Sequence, residues 1–200
     1  MKTNHHQLCM ALFAMTLLAS TAPATITVYC DANEFMNAIP SPGYFTAYWD
    51  TLNGEKDYVA QLNDGEYAFH AHADNGLRSE FGGSALSTCD ATDLLQFTFE
   101  NSPEEVHSVG GIFASTDYMG NPTGQELDIV VEDILHSTVT VPIWGSCFVG
   151  FVSDIPLALL TLDSVDDWPQ VTIFHADSPE PATLVLLALG GCTLLKKRRA

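Results

Sequence analysis

His70 and His72 stand two residues apart, and Asp74 follows closely. On a β-strand this spacing puts both imidazoles on one face, where they can share a metal ion. Two exposed polar positions ahead of a turn account for the same pattern without chemistry. There is no H-E-x-x-H pair, so a zinc protease of that type is excluded. There is no G-x-S-x-G elbow either, and Ser84 in Gly82-Gly83-Ser84-Ala85-Leu86 does not make one. Serine triads assemble in space, and with serines and acids this plentiful no set stands out. Glycoside hydrolysis needs two carboxyl groups about 5–10 Å apart. The chain has 25 acids, and spacing singles out no pair among them.

A better use for the acids is calcium, which takes carboxylate and loop-carbonyl oxygens. The turns Asn63-Asp64-Gly65-Glu66 and residues 163–167 can supply such ligands, although no EF-hand loop is present. No cofactor is expected apart from a structural Ca²⁺, for which these turns leave room, and no ligand set is assigned. Aromatic rings can stack on sugars, and Tyr48, Trp49, Tyr58, Tyr67, Trp144 and Trp168 are the candidates. Trp168, between Asp166-Asp167 and Pro169, is expected at a loop tip. Arg78 is expected to pair with Glu80 or another surface acid.

Three cysteines lie outside the two ends: Cys30, Cys89 and Cys147. An odd number allows at most one internal disulfide, and all three pairings stay open. Free thiols and pairing between chains are the rival readings. No C-x-x-C occurs, which speaks against a structural zinc site.

The whole chain has 200 residues, 25 acids and 7 bases, for a net charge of −18. That excludes nucleic acid as a natural partner, since phosphates need a basic surface. An apolar fraction of 46% is enough to build a core. Five of the bases sit at the ends. Every acid but Glu180 lies between residues 25 and 178, where Lys56 and Arg78 are the only bases.

The ends read as export signals. Lys2 precedes an apolar run over residues 8–19, and Ala22-Pro23-Ala24 offers small residues at a cleavage site. Residues 1–24 are therefore expected to be a signal peptide, cut by signal peptidase after Ala24 or, as second choice, after Ala22. At the other end Asp177-Ser178-Pro179-Glu180-Pro181 breaks regular structure, and residues 182–195 carry no charge. Lys196, Lys197, Arg198 and Arg199 follow. A helix of that apolar length reaches about 21 Å, short of a hydrocarbon core of roughly 30 Å. Snorkelling bases and local thinning can seat it, and the bases hold its end in the cytoplasm.

Pro179, Glu180 and Pro181, the short apolar segment and the basic cluster together resemble the PEP-CTERM sorting signal. That signal occurs on exported proteins of Gram-negative, often exopolysaccharide-producing bacteria. The resemblance covers residues 179–199, about a tenth of the chain. It implies an inner-membrane intermediate and recognition by an exosortase, which removes the tail near the Pro-Glu-Pro motif. The product would reside on the outer surface or in the extracellular matrix.

The body reads as strands and turns. Residues 25–29 are β-branched and aromatic, then Asp31 and Glu34 form a capping box ahead of Phe35, Met36 and Ile39 on one helical face. Residues 40–43 stop that helix, and residues 44–49 resume a strand. Leu95, Phe97 and Phe99 alternate with polar residues, as do Leu127, Ile129 and Val131. Val139, Val141 and Ile143 continue the alternation. Residues 148–152 and 157–162 are continuously apolar, as in strands buried on both faces. Turn signals include Asn53-Gly54, Asp74-Asn75-Gly76, Gly120-Asn121-Pro122 and Asp166-Asp167. Nine to eleven strands at this spacing predict an all-β chain: an antiparallel, jelly-roll-like β-sandwich over residues 25–176 with one short N-terminal helix. Residues 177–200 form the sorting signal with its C-terminal hydrophobic helix. The strand–helix–strand opening resembles the start of many PEP-CTERM exported proteins, whose bodies are predicted sandwiches. Val109-Gly110-Gly111-Ile112-Phe113 followed by Phe148-Val149-Gly150-Phe151-Val152-Ser153-Asp154 is similar to arrangements in exported sandwich domains of that class. Physically, these glycines permit a bulge or a close approach of strands.

The expected function is that of an exported structural, adhesive or polysaccharide-associated protein rather than an enzyme, with exopolysaccharide as a partner. The alternatives are a secreted hydrolase of matrix polysaccharide and a calcium-stabilised interaction domain.

Overall fold

The computed structural model describes residues 25–39, 44–47, 57–64, 67–80, 85–99 and 105–177. The two terminal signals, with Ala22, Ala24, residues 179–181 and the C-terminal hydrophobic helix, lie outside the described residues, as do Tyr48, Trp49 and Ser84.

The elements in chain order are β1 (Ile26–Tyr29), α1 (Ala32–Ala38), β2 (Tyr44–Ala47), β3 (Asp57–Asp64), β4 (Tyr67–Glu80), β5 (Ala85–Thr88), β6 (Leu95–Thr98), β7 (Ser108–Thr116), β8 (Glu126–Asp133), β9 (Thr138–Trp144), β10 (Cys147–Ser153), β11 (Leu157–Ser164) and β12 (Trp168–Asp177). Every strand pairing is antiparallel. The order across the sheet is β1-β10-β7-β12-β5-β4-β6-β11-β8-β9, with β2 beside β12 and β3 beside β4. The sheet folds over on itself, so that β12 meets β11 and β7 meets β8 and β9 across the core. The result is an antiparallel β-sandwich, as the alternating pattern predicts. Its first layer is β1-β10-β7-β12-β5 and its second is β6-β11-β8-β9.

β4 joins the layers. His70, Ala71 and His72 pair with β6, while residues 77–80 pair with β5. Between these stretches the register against β3 jumps from His72 to Leu77. Gly76 takes φ 100°, which glycine adopts without a Cβ clash. Asp74-Asn75-Gly76 is thus a corner inside one strand and not the turn between strands that its residue types suggest. Asp93 clamps it: one carboxylate oxygen accepts from the Asn75 backbone N–H and the other from its Nδ2, both at 2.7 Å. Asp93 is buried, so these bonds replace water at an otherwise costly charge.

Burial follows the two-residue period. Leu95 and Phe97 face inward with Phe99 just beyond the strand, as do Leu127, Ile129 and Val131, and so does Ile143. Phe174 of the first layer stacks on Phe97 of the second, centroids 4.6 Å apart and planes 17° apart. Phe69 of β4 meets Phe174 edge-on at 5.1 Å. These rings hold the layers together where the corner brings them face to face. The apolar run of β11 departs from expectation. Leu159 and Thr161 are only half-buried, and Asp163 is exposed. Among the described residues no helix lies on that outer face, whereas β10 has α1 upon it.

The helix begins as its cap residues dictate. The Asp31 carboxylate accepts from the backbone N–H groups of Asn33 (2.8 Å) and Glu34 (3.0 Å). Ile39 leaves in extended conformation, as suits the residue before Pro40. Phe35 is fully buried between Tyr29 and Phe148, with ring centroids 6.1 and 5.4 Å away. It rests on the glycines of paired strands, since Gly150 lies opposite Gly110. A Cβ at Gly150 would come within 2.3 Å of the Phe35 ring, and one at Gly110 within 2.9 Å. A Cβ at Gly111 would meet the Ile173 carbonyl at 2.4 Å, where β12 bulges between Val171 and Phe174. Both uses read from the sequence, close approach and bulge, are present. β12 itself runs from Trp168, opposite Thr116, to Asp177, opposite Ser108. Among the described residues no helix is long and apolar enough to cross a membrane.

Phe35→Ala should therefore destabilise the protein by about 3–5 kcal/mol, and Gly150→Val by about 2 kcal/mol or more through overpacking. Asp93→Ala should cost about 1–3 kcal/mol. Urea unfolding midpoints test all three. An unshifted midpoint for Phe35→Ala would mean that the helix docks without its anchor.

Candidate functional site

The outer face of the second layer is an open, polar grid. Cross-strand register lays His72, Gln96, Thr161, Val130 and Thr140 in one row across β4, β6, β11, β8 and β9. The next row holds His70, Thr98, Leu159, Glu132 and Thr138. The two histidines do share a face, in mid-strand and half-buried rather than ahead of a turn. His72 Nε2 lies 3.3 Å from Asp74 Oδ1. In the other direction come Asp163, Asp128 and Pro142, and then Glu126 beside Trp144.

Trp144 is 62% exposed, on the polar side of a strand whose other face, with Ile143, turns to the core. Its neighbour Glu126 lines a cleft of about 310 Å³ together with Gln125, Ser164, Val165, Asp166 and Asp167. The cleft wall is built by hydroxyl–carboxylate bonds. Asp167 accepts from Ser115 Oγ at 2.9 Å and from Thr123 Oγ1, and Ser115 Oγ also meets Ser164 Oγ at 3.1 Å. These bonds tie the turn between β11 and β12 to the loop after β7.

In that loop the Asp117 carboxylate accepts from the backbone N–H groups of Met119 (2.8 Å) and Asn121 (2.9 Å) and from Asn121 Nδ2. The bonds from Asn121 are the main reason its pKa lies below the ordinary carboxylate value, and the Arg78 charge helps slightly. The turn presents Tyr118, 65% exposed, to solvent. Sequence reasoning missed Tyr118. The signal for it was an aromatic between Asp117 and the turn residues Gly120-Asn121-Pro122.

Trp168 is not at a loop tip. It is the first residue of β12, half-buried, with its carbonyl accepting from Thr116 Oγ1 at 3.0 Å. Arg78, expected on the surface, is half-buried and lies over the Trp168 ring, 5.6 Å from its centroid, and the side chain of its expected partner Glu80 is outside the described residues. The guanidinium thus occupies an indole face that a sugar would need. Tyr58 and Tyr67 lie on β3 and β4, and their side chains are outside the described residues. Cys30, Cys89 and Cys147 stand outside any disulfide. Among the described residues no three His, Cys, Asp or Glu side chains gather as metal ligands. Asp64 ends β3, and residues 65–66 of the expected calcium turn lie outside the described residues.

An exposed indole beside a cleft of carboxylates, a carboxamide and a hydroxyl suits a hydroxyl-rich ligand with an apolar face. The ring covers C–H groups, and the oxygens accept from hydroxyls.

No family model and no curated protein matches the chain. Several solved structures are similar to it. One is a family 29 carbohydrate-binding module, at 12% identity, covering 78% of this chain and 90% of that one with a TM-score of 0.31. Another is a mutant of such a module complexed with cellulohexaose, at 12% identity, covering 78% and 93%, TM-score 0.31. A third is a mutant complexed with mannohexaose, at 14% identity, covering 78% and 94%, TM-score 0.30.

Two titrations should be visible in stability. Burial pushes the His175 imidazole below its ordinary value of 6.5, so the folded chain binds that proton less readily than the unfolded chain. Its contribution is complete above the unfolded value and shrinks as pH falls through it. His175→Gln should flatten the decline as pH falls below the ordinary imidazole value of 6.5. Asp117 stabilises above the ordinary carboxylate range, and that contribution disappears as pH falls towards its lowered folded value. Asp117→Ala should remove that share of the acid sensitivity. Urea midpoints followed against pH check both, and superimposable wild-type and variant profiles would refute them.

Proposed function

We propose that this chain is an exported, non-catalytic polysaccharide-binding module of the cell surface or extracellular matrix. The observation that carries the binding reading is Trp144, an indole 62% exposed on a hydrogen-bonding sheet face and set against the cleft at Glu126. An aromatic left in water on a strand is useful where a ligand covers it. The net charge of −18 repels acidic polymers, so the ligand is an uncharged glycan. Delivery follows the resemblance at the two ends. Signal peptidase cuts after Ala24, an exosortase acts at Pro179-Glu180-Pro181, and the inner membrane holds the chain in between.

The hydrolase alternative needs a carboxyl group kept protonated near a second one.

Affinity electrophoresis in gels containing neutral glucans, mannans or the host's own exopolysaccharide tests the binding. The wild type should be retarded by at least one of them. Trp144→Ala should weaken retardation about tenfold or more, equivalent to about 1.4 kcal/mol, with an unchanged melting temperature. No retardation by any polymer, or equal retardation of the variant, would sink the reading. For sorting, the intact mass from the native host should lack both ends. A full-length C-terminus retained in the inner membrane would overturn exosortase processing.

A further inference from the structure

The fold brings two of the three body cysteines together. β1 ends at Tyr29, opposite Gly150 of β10. The same register places the next residue, Cys30, opposite Val149, with Cys147 its diagonal neighbour two residues along β10. Side-chain alternation agrees. Ile26 and Val28 pack against the core, as do Val149 and Cys147, while Tyr29 and Phe148 turn to Phe35 on the other face. Cys30 therefore shares a face with Cys147. Cys30 is exposed, Cys147 is half-buried, and both are free. The groups sense each other: burial raises the Cys147 thiol, and negative charge at Cys30 raises it further. Cys89 is remote from this corner. It follows β5, its amide bonded to the Gly76 carbonyl at 2.8 Å. Three strand spacings separate β5 from β10 within one layer, about 14 Å. A disulfide spans at most about 7 Å between Cα atoms.

We propose that Cys30 and Cys147 form a disulfide when the protein meets a low-molecular-weight or protein disulfide as oxidant, leaving Cys89 a thiol. The exposed Cys30 reacts first. Its thiolate attacks a sulfur of the oxidant, forms a mixed disulfide and releases one reduced thiol. Cys147 then gives its proton to solvent and attacks the Cys30 sulfur, and the second reduced thiol departs. Two protein thiols are oxidised and one external disulfide is reduced. Diagonal neighbours lie about 7–8 Å apart, so closure asks for a shift of about 1–2 Å. Cys30 sits at the exposed junction between β1 and α1, just past the last paired residue, Tyr29. The bridge ties that junction to β10 and closes a loop from residue 30 to residue 147, which strongly restricts the unfolded chain.

The full chain, purified reduced, is incubated with oxidised glutathione, alkylated with iodoacetamide under denaturing conditions, and digested with pepsin at acid pH. The expected product is a linked peptide pair containing Cys30 and Cys147, about 2 Da lighter than the two reduced peptides together, with Cys89 alkylated. Cys9 and Cys192 are read on their own peptides. Oxidation should raise the melting temperature by on the order of 10 °C. The rise should vanish in Cys30→Ser and Cys147→Ser and persist in Cys89→Ser, each compared with its own reduced form. Alkylation of both Cys30 and Cys147, a bridge to Cys89, or a Cys30–Cys30 link between two chains would overturn the proposal.

Discussion

The sandwich depends on one strand changing direction. β4 gives its first half to β6 and its last residues to β5, so both layers hang from the same fourteen-residue element. A strand cannot cross between packed sheets without a break in its ladder. Here the break falls at Asn75 and Gly76, where the Gly76 carbonyl accepts from the Cys89 amide and the Asn75 groups turn to a side chain. That side chain is Asp93, which accepts from the Asn75 backbone N–H and from its Nδ2. It reaches the corner from the turn that leads into β6, so the clamp also aims the second layer. The Phe69, Phe97 and Phe174 rings then close over one another. A local polar bond sets the angle, and apolar burial supplies most of the stabilisation.

The two layers present their outer faces differently. The first is partly capped by α1, seated through Phe35 on two glycines. Among the described residues no helix covers the second, which carries the polar grid. Its edge strand β9 holds Pro142, which cannot donate to a further strand. The edge is thus guarded against pairing while its outward side chains, Trp144 among them, stay accessible. An open face and a protected edge are compatible because side chains and ladder hydrogen bonds point in perpendicular directions.

Much of this was legible in the residues. Period-two alternation identified the inward faces of β6, β8 and β9, and Asp31 with Phe35 marked the helix start and its buried side. Gly110, Gly111 and Gly150 declared tight packing, although not that a phenylalanine from α1 would fill the space. The corner was illegible because Asp-Asn-Gly favours positive φ equally in a turn and in a strand break. The apolar stretch of β11 misled because a continuous run does not say which neighbour covers the second face. Trp168 and Arg78 were misplaced for a related reason. Their contact is made across strands from residues ninety apart in the chain, which no local pattern encodes. Trp144 was one of six aromatic candidates, and only the pairing of β8 with β9 set it beside Glu126 and the cleft.

The register of β12 gives the molecule two poles. Ile26 lies opposite Ser153, and Asp177 lies opposite Ser108, so the described chain enters and leaves at one end of the first layer. Trp168, Thr116 and the cleft residues lie at the other end, the length of a ten-residue strand away, about 30 Å. Anything joined before residue 25 or after residue 177 is therefore attached on the side remote from Trp144. A pull applied through either terminus therefore enters the first layer at one pole, while a load on the indole enters at the other.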